Sequence, residues 1–370
     1  MNDEQKESVS EMAVRKPLRP ALVVSQQTSF AYPFFLNHLL LGLADKSIPV
    51  ALICPPDFDT ARVAPTVKII RYPAFDLPFM EFKNNRILVE AVRKFRPSVI
   101  HCLCHSQASI TRHLAKQLNL PYILSINLLQ KRFNKISISS RRCAKIIVPC
   151  DSIAANVVEL YPEFDQRIER VNMGVSVADE EGCFCQEGMI PSVVTTHGLK
   201  RVEDFEKLFN AVRHLAIDGY EFMLFVIGSG KAGRKLRRRI SQLGLLQIVI
   251  TVPRIQSWRS VLTSADIFIQ PQILTEFNDL LLEAMSVGTA VAGCKGGVDD
   301  LLIEDKTAVI FSPDDELSIY AALQRLLDTP EKTRQLARQA QDHLRRNHTV
   351  TQMLSNILRV YHDTQVCVES

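Results

Sequence analysis

Short apolar runs rich in β-branched residues alternate along this chain with segments whose apolar positions recur at helical spacing. The runs "PALVVSQ" (20–26), "PVALICP" (49–55), "SVIHCLC" (98–104), "YILSI" (122–126) and "AKIIVPC" (144–150) predict strands. Between them, "PFFLNHLLLGLADK", "NNRILVEAVRKFR" and "ASITRHLAKQLNL" predict helices. Strands that are apolar throughout, rather than alternating, belong to parallel sheets covered on both faces. The pattern breaks over 172–191, where turn and acidic residues replace periodicity, so this stretch reads as a linker. It restarts with "SVVTTHG" (192–198), "FMLFVIG" (222–228), "IVITVP" (248–253), "ADIFIQPQ" (265–272) and "TAVAGC" (289–294), then turns purely helical from Ser318. The expectation is an α/β protein with two Rossmann-like, doubly wound domains facing each other across a cleft. The domains are placed at 18–175 and 190–350, after a disordered tail over 1–17.

One helix departs from the amphipathic norm. From Leu280 to Val287 every residue except Glu283 and Ser286 is hydrophobic or small, so the helix is expected to be buried on most sides. A carboxylate there needs a partner or a cleft to face. Asn278 or Asp279 can cap its first amides, and ligands of doubly wound sheets bind beyond the carboxyl ends of strands. Glu283 is therefore expected one turn into a helix that starts at the ligand crevice, where it could accept hydrogen bonds from a ribose diol. The alternative is a salt bridge with a neighbouring Arg.

Composition adds bounds. At 370 residues the chain exceeds what one core usually serves, which agrees with two domains. It is 46% hydrophobic and 23% charged, too apolar for a disordered chain. A formal charge of +4 and 7% aromatic residues give no sign of a nucleic-acid partner. There is no run of about 18 apolar residues to cross a membrane. The polar first 17 residues are no secretory signal, and nine scattered cysteines without framework spacing are expected as reduced thiols, hence a cytoplasmic location.

Several segments together resemble the retaining GT-B glycosyltransferases of family 4, the "glycosyl transferases group 1". They are "RRCAKIIVPCDSIAANVV", "RIERVNMGVSV", "EFMLFVIGSGKAGRKLRRRISQLGL" and "SVLTSADIFIQPQILTEFNDLLLEAMSVGTAVAGCKGGVDDLLIEDKTAVIFSPDD". The resemblance runs from about Val99 to His362 and implies that a last helix, about 351–364, crosses back to the first domain. In this family two Glu are separated by seven residues; Glu283 matches the second, which holds the donor ribose, while the first falls on Thr275, with Glu276 beside it. Glu276 is then the group at the donor sugar. Phe277 matches, and Asn278 stands where the family has a glycine.

The family's diphosphate-neutralising Arg and Lys fall on Gly198 and Glu203, neither of them basic, with Lys200 and Arg201 between as substitute cations. Gly296 and Gly297 match the Gly-Gly loop that opens a helix at the donor sugar, and Asp300 stands where Glu is common. His105 matches the histidine nearest the chemistry, where it could orient or deprotonate an acceptor hydroxyl. A second family histidine falls on Asn127, and the loop after the first strand, "SQQTSFAYPFF", lacks the family's glycines. The resemblance implies sugar transfer from a UDP- or GDP-sugar to a glycan or lipid-linked acceptor, with no metal and no further cofactor. The alternatives on the same fold are a scaffold or binding subunit that has lost the chemistry, and a sugar-nucleotide epimerase.

Two other clusters carry groups that could do chemistry. "HCLCH" (101–105) offers zinc ligands, but strand alternation puts His101 and His105 on one face and Cys102 and Cys104 on the other. "KAGRKLRRR" (231–239) holds six basic residues in nine without P-loop spacing. It reads as a solvated helix face, or as a peripheral contact with an anionic inner-membrane surface that carries a lipid-linked acceptor.

Overall fold

The structure is a computed structural model and describes residues 17–61, 63–72, 81–133, 135–179, 182–185, 188–196, 199–253 and 258–366. The tail expected over 1–17 lies outside these residues except for its last position, and Gly198 lies outside them too. Two all-parallel sheets form the frame. The first comprises β1 (Pro20–Val23), β2 (Ala51–Cys54), β3 (Lys68–Arg71), β4 (Val99–Cys102), β5 (Tyr122–Ser125), β6 (Cys143–Val148) and β7 (Ile168–Arg170), in the order β3-β2-β1-β4-β5-β6-β7. The second comprises β8 (Ser192–Thr196), β9 (Met223–Ile227), β10 (Val249–Val252), β11 (Ile267–Gln270), β12 (Ala290–Cys294) and β13 (Val309–Phe311), in the order β10-β9-β8-β11-β12-β13.

Every residue of β1, β2, β4, β5, β11 and β12 is buried, as strands sandwiched between helices require. The strands missing from the sequence expectation are β3, β7 and β13, and all three lie at sheet edges. Edge strands here are three or four residues long and partly exposed, so no continuous apolar run marks them. Strand order reverses between β1 and β4 and between β8 and β11, and crevices open beyond the carboxyl ends at such points.

The last helix, Val350–Val366, packs on the first sheet and on the helix Pro33–Asp45. Its Tyr361 hydroxyl is 2.8 Å from His101 Nδ1, and His101 Nε2 is 2.8 Å from Ser125 Oγ. Burial pushes the His101 imidazole down to about 3, so it stays neutral and joins sheet to helix. Both ring nitrogens are thereby occupied, and among the described residues no three His, Cys, Asp or Glu gather as a metal site. The eight described cysteines are free thiols, and all but Cys185 are buried.

Candidate functional site

The site is built on the segment after β11. Gln270, the one amide in an apolar strand, accepts from the Asn278 side chain at 2.9 Å. Asn278 in turn caps the helix Asp279–Ser286, its Oδ1 accepting from Leu281 N at 3.1 Å. The loop between them is pinned to the first half of the chain: Leu129 N donates to the Thr275 carbonyl at 2.7 Å, and Phe277 N to the Asn127 carbonyl at 2.9 Å. These bonds make a short antiparallel bridge between Leu128 and Glu276.

Beside this loop lies a cavity of about 410 Å³ at the carboxyl ends of β8, β9 and β11. Lys200, Glu276, Phe277 and Asn278 all line it, so four of the residues picked from sequence meet at one place. Leu199, buried in the second core with a φ of +40°, sets the turn that leaves Lys200 exposed there. Burial raises the Glu276 carboxyl, and the Lys200 ammonium partly offsets this. Thr196, Gln270, Gln272 and Trp258 also line the cavity and were missed from sequence. Gln270 carried a legible signal, an amide breaking an apolar run; Trp258 carried none, since its spacing is that of an ordinary core residue.

The other expected residues are not brought to this cavity. Glu283 is fully buried and ion-paired with Arg259, which also donates to the Ser176 carbonyl at 3.1 Å. This corrects the expectation that Glu283 faces the crevice. Side chains four apart share a helix face, and Asp279 and Glu283 lie on the face packed against the first half. There Asp279 Oδ2 accepts from Phe34 N at 2.9 Å and Phe35 N at 3.4 Å, at the start of the helix Pro33–Asp45. Burial raises the Asp279 carboxyl to about 7, the two amides oppose that, and the charge of Glu283 adds to it. Burial likewise raises Glu283, against Arg259.

Arg201 is ion-paired with Asp204 at 3.0 Å and does not reach the cavity, and Glu203 is exposed on a short 3-10 turn. Thr275 contributes its carbonyl to Leu129 instead of lining the cavity. No helix opens at Gly296 and Gly297, which form a bend. Gly296 has a φ of +123°, and a Cβ on Gly297 would lie 2.1 Å from the Leu274 carbonyl oxygen, so close backbone approach explains the pair. Asp300 instead caps the helix Asp151–Leu160 across the interface, accepting from Ser152 N at 3.0 Å and Ser152 Oγ at 2.5 Å. Burial would raise its carboxyl, but the Ser152 donors hold it below the ordinary value. His105 follows β4 in a half-buried 3-10 turn, and burial lowers its imidazole; it does not line the cavity. Asn127 is a hub, with its carbonyl accepting from Phe277 N and from the Tyr32 hydroxyl at 3.3 Å.

Known proteins resemble this chain in sequence and in fold. Residues 190–343 match the family model described as glycosyl transferases group 1, and residues 35–179 match that of glycosyltransferase family 4. A 2-deoxystreptamine glucosyltransferase of Streptomyces kanamyceticus is 22% identical over 205 residues, 54% of this chain, and the match spans 53% of that enzyme. Among solved structures, the sucrose-phosphate synthase of Thermosynechococcus elongatus superposes with a TM-score of 0.76 at 17% identity, covering 95% of this chain and all of that one. A glycosyltransferase from Rickettsia africae gives 0.74 at 15% identity, covering 94% and 99% of the two chains. Anabaena HepE in complex with UDP and glucose gives 0.75 at 12% identity, covering 92% and 98%. At such identities these likenesses are likenesses of fold.

Proposed function

The chain belongs to the group 1 and family 4 glycosyltransferases of GT-B fold, and from that premise we propose that it moves a glycosyl unit, with retention, from a UDP- or GDP-sugar to a hydroxyl of a glycan or lipid-linked acceptor. The observation that carries this reading is the meeting of Lys200 and Glu276 at one cavity beside the strand-order reversal of the second sheet. An ammonium opposes the charge that develops on a departing diphosphate, and a carboxylate accepts hydrogen bonds from sugar hydroxyls. Trp258, Phe268 and Phe277 supply apolar walls for the remainder of the nucleotide. The relative that carries UDP and glucose supports the choice of ligand class. The nucleotide sugar is substrate here, with no further cofactor, and His105 stands for the acceptor side.

Calorimetric titration tests the donor assignment. Lys200→Ala is expected to weaken UDP and GDP binding about tenfold, the worth of one charge-assisted hydrogen bond, while leaving uridine and guanosine nearly unchanged. An equal loss for nucleosides and nucleotides would refute the role given to Lys200. Glu283→Gln, which breaks a buried ion pair, is expected to lower stability more than nucleotide affinity. A second reading, a scaffold without chemistry, is favoured by the Glu283–Arg259 pair that removes the family's ribose ligand from the crevice. Silence toward every nucleotide would establish it.

A membrane contact is part of the proposal. The helix Gly233–Gln242 buries Leu236 and Ile240 and exposes Arg234, Lys235, Arg237 and Arg238, and Arg239 pairs with Glu206. No described helix is long and apolar enough to cross a bilayer. Four exposed cations add up beside an anionic surface, at about 1 kcal/mol each. Vesicles containing phosphatidylserine should therefore retain the protein and neutral vesicles should not; equal retention would leave the helix as a solvated face.

A further inference from the structure

A second cavity, of about 330 Å³, lies where the chain passes between its two halves. It passes there twice: once after β7, and once at the turn between the helices Pro330–Asn347 and Val350–Val366. The two passages are fastened together. Val175 N donates to the His348 carbonyl at 2.8 Å, Asn172 Nδ2 to the Asn347 carbonyl at 2.9 Å, and His348 Nδ1 lies 3.0 Å from the Met173 carbonyl. A Cβ on Gly174 would stand 2.7 Å from Val350 Cα, so only glycine permits this approach.

The cavity is lined by Arg170, Asn172, Arg346, Asn347, Gln352 and Asn356, with Met353 beneath. Three of its acceptors are already occupied. The Arg346 carbonyl accepts from Gln352 Nε2 at 3.1 Å, the Asn347 carbonyl from Asn172, and Asn172 Oδ1 from Arg170 Nε at 3.1 Å. Donors are left over. The Arg346 guanidinium and the Asn356 side-chain amide make no hydrogen bond or ion pair among the described residues. Arg170 holds Asp151, whose side chain is 72% exposed, and such surface pairs contribute little. The neighbouring histidines register the excess of positive charge: after burial, Lys306 and Arg346 lower His343, and Arg170 is among the groups that lower His348.

We propose that this cavity binds a phosphoryl-bearing anion, whose oxygens bridge the guanidinium groups of Arg170 and Arg346 and so tie the two interdomain passages together. Guanidinium matches phosphate geometry through paired N–H donors. An occupant would hold the halves at the angle that the Asp279 and Asp300 caps also maintain.

The test is calorimetry at fixed ionic strength, with inorganic phosphate and glucose 6-phosphate as probes and chloride as reference. Saturable binding is expected for the wild type, weakened about tenfold or more by Arg346→Ala, since each charge-assisted bond is worth that much. Arg170→Ala should do the same; if losing the Asp151 pair unfolds it, Arg346→Ala decides, because that side chain is exposed and unpaired. Lys200→Ala should leave this binding unchanged. Tighter binding of the sugar phosphate identifies a phosphorylated metabolite as the occupant, and equal binding identifies phosphate itself. Absence of saturable binding for both probes overturns the proposal. So does binding lost in Lys200→Ala and kept in Arg346→Ala, which would place the anion in the nucleotide cavity.

Discussion

Glu276→Gln is expected to lower the rate of sugar transfer about 100-fold, the scale set by removing one preorganised polar group from a reaction centre. Glutamine keeps the size and one acceptor oxygen of the carboxylate, and the backbone of residue 276 stays bridged to Leu128. What is lost is negative charge in a cavity whose other charged wall is Lys200. Affinity for UDP or GDP should change by no more than about twofold, because uniform binding and transition-state stabilisation are separable. Turnover of a panel of UDP- and GDP-sugars, with hydrolysis as the readout when no acceptor is known, measures this. Unchanged kcat in the variant would remove Glu276 from the chemistry. A matching loss of affinity and rate would make it a binding residue only.

Asp279→Asn is expected to change how stability depends on pH. In the folded chain the Asp279 carboxyl titrates at about 7, against an ordinary value of 3.8. Between those values the folded chain keeps a proton that the unfolded chain has released. The contribution of this group is therefore greatest below about pH 4 and falls as pH rises toward 7. The gap bounds that fall at about 4 kcal/mol. His101 and His348, pushed down to about 3 and about 4, act in the opposite sense, since the unfolded chain binds protons that the folded chain refuses. The wild-type profile thus mixes both, and the difference between wild type and Asp279→Asn isolates one. Denaturant unfolding from pH 4.5 to 8 should show the variant gaining stability over wild type as pH rises, levelling above 7. Asparagine still offers an oxygen to Phe34 N, so the cap itself is retained. A difference that does not vary with pH would mean that Asp279 is ionised throughout.

The architecture could be read from local pattern because its causes are local. A strand buried on both faces has to be apolar at every position, and β1, β2, β4, β5, β11 and β12 show that in their own residues. The edge strands β3, β7 and β13 escaped because partial exposure relaxes the same demand. At the site, Lys200, Glu276, Phe277 and Asn278 were legible through the family resemblance, Lys200 and Glu276 only as neighbours of the motif positions Gly198, Glu203 and Thr275. Asn278 as a helix cap was legible from the chain itself, being an effect within a few residues.

Composition and spacing also required that an acid in the greasy helix after β11 find a partner, since an isolated buried charge is too costly to keep. Which partner it found lay beyond them. Arg259 stands 24 positions from Glu283, and the amides that Asp279 caps are some 245 positions away. The bend at Gly296 answers to the carbonyl of Leu274, and Asp300 to a helix in the other half. Each of these choices depends on how the two halves pack together, and that packing places groups distant in the chain within hydrogen-bond reach. Local pattern sets which segments become strands and helices; contacts between halves settle whether a given carboxylate meets solvent, ligand or a guanidinium.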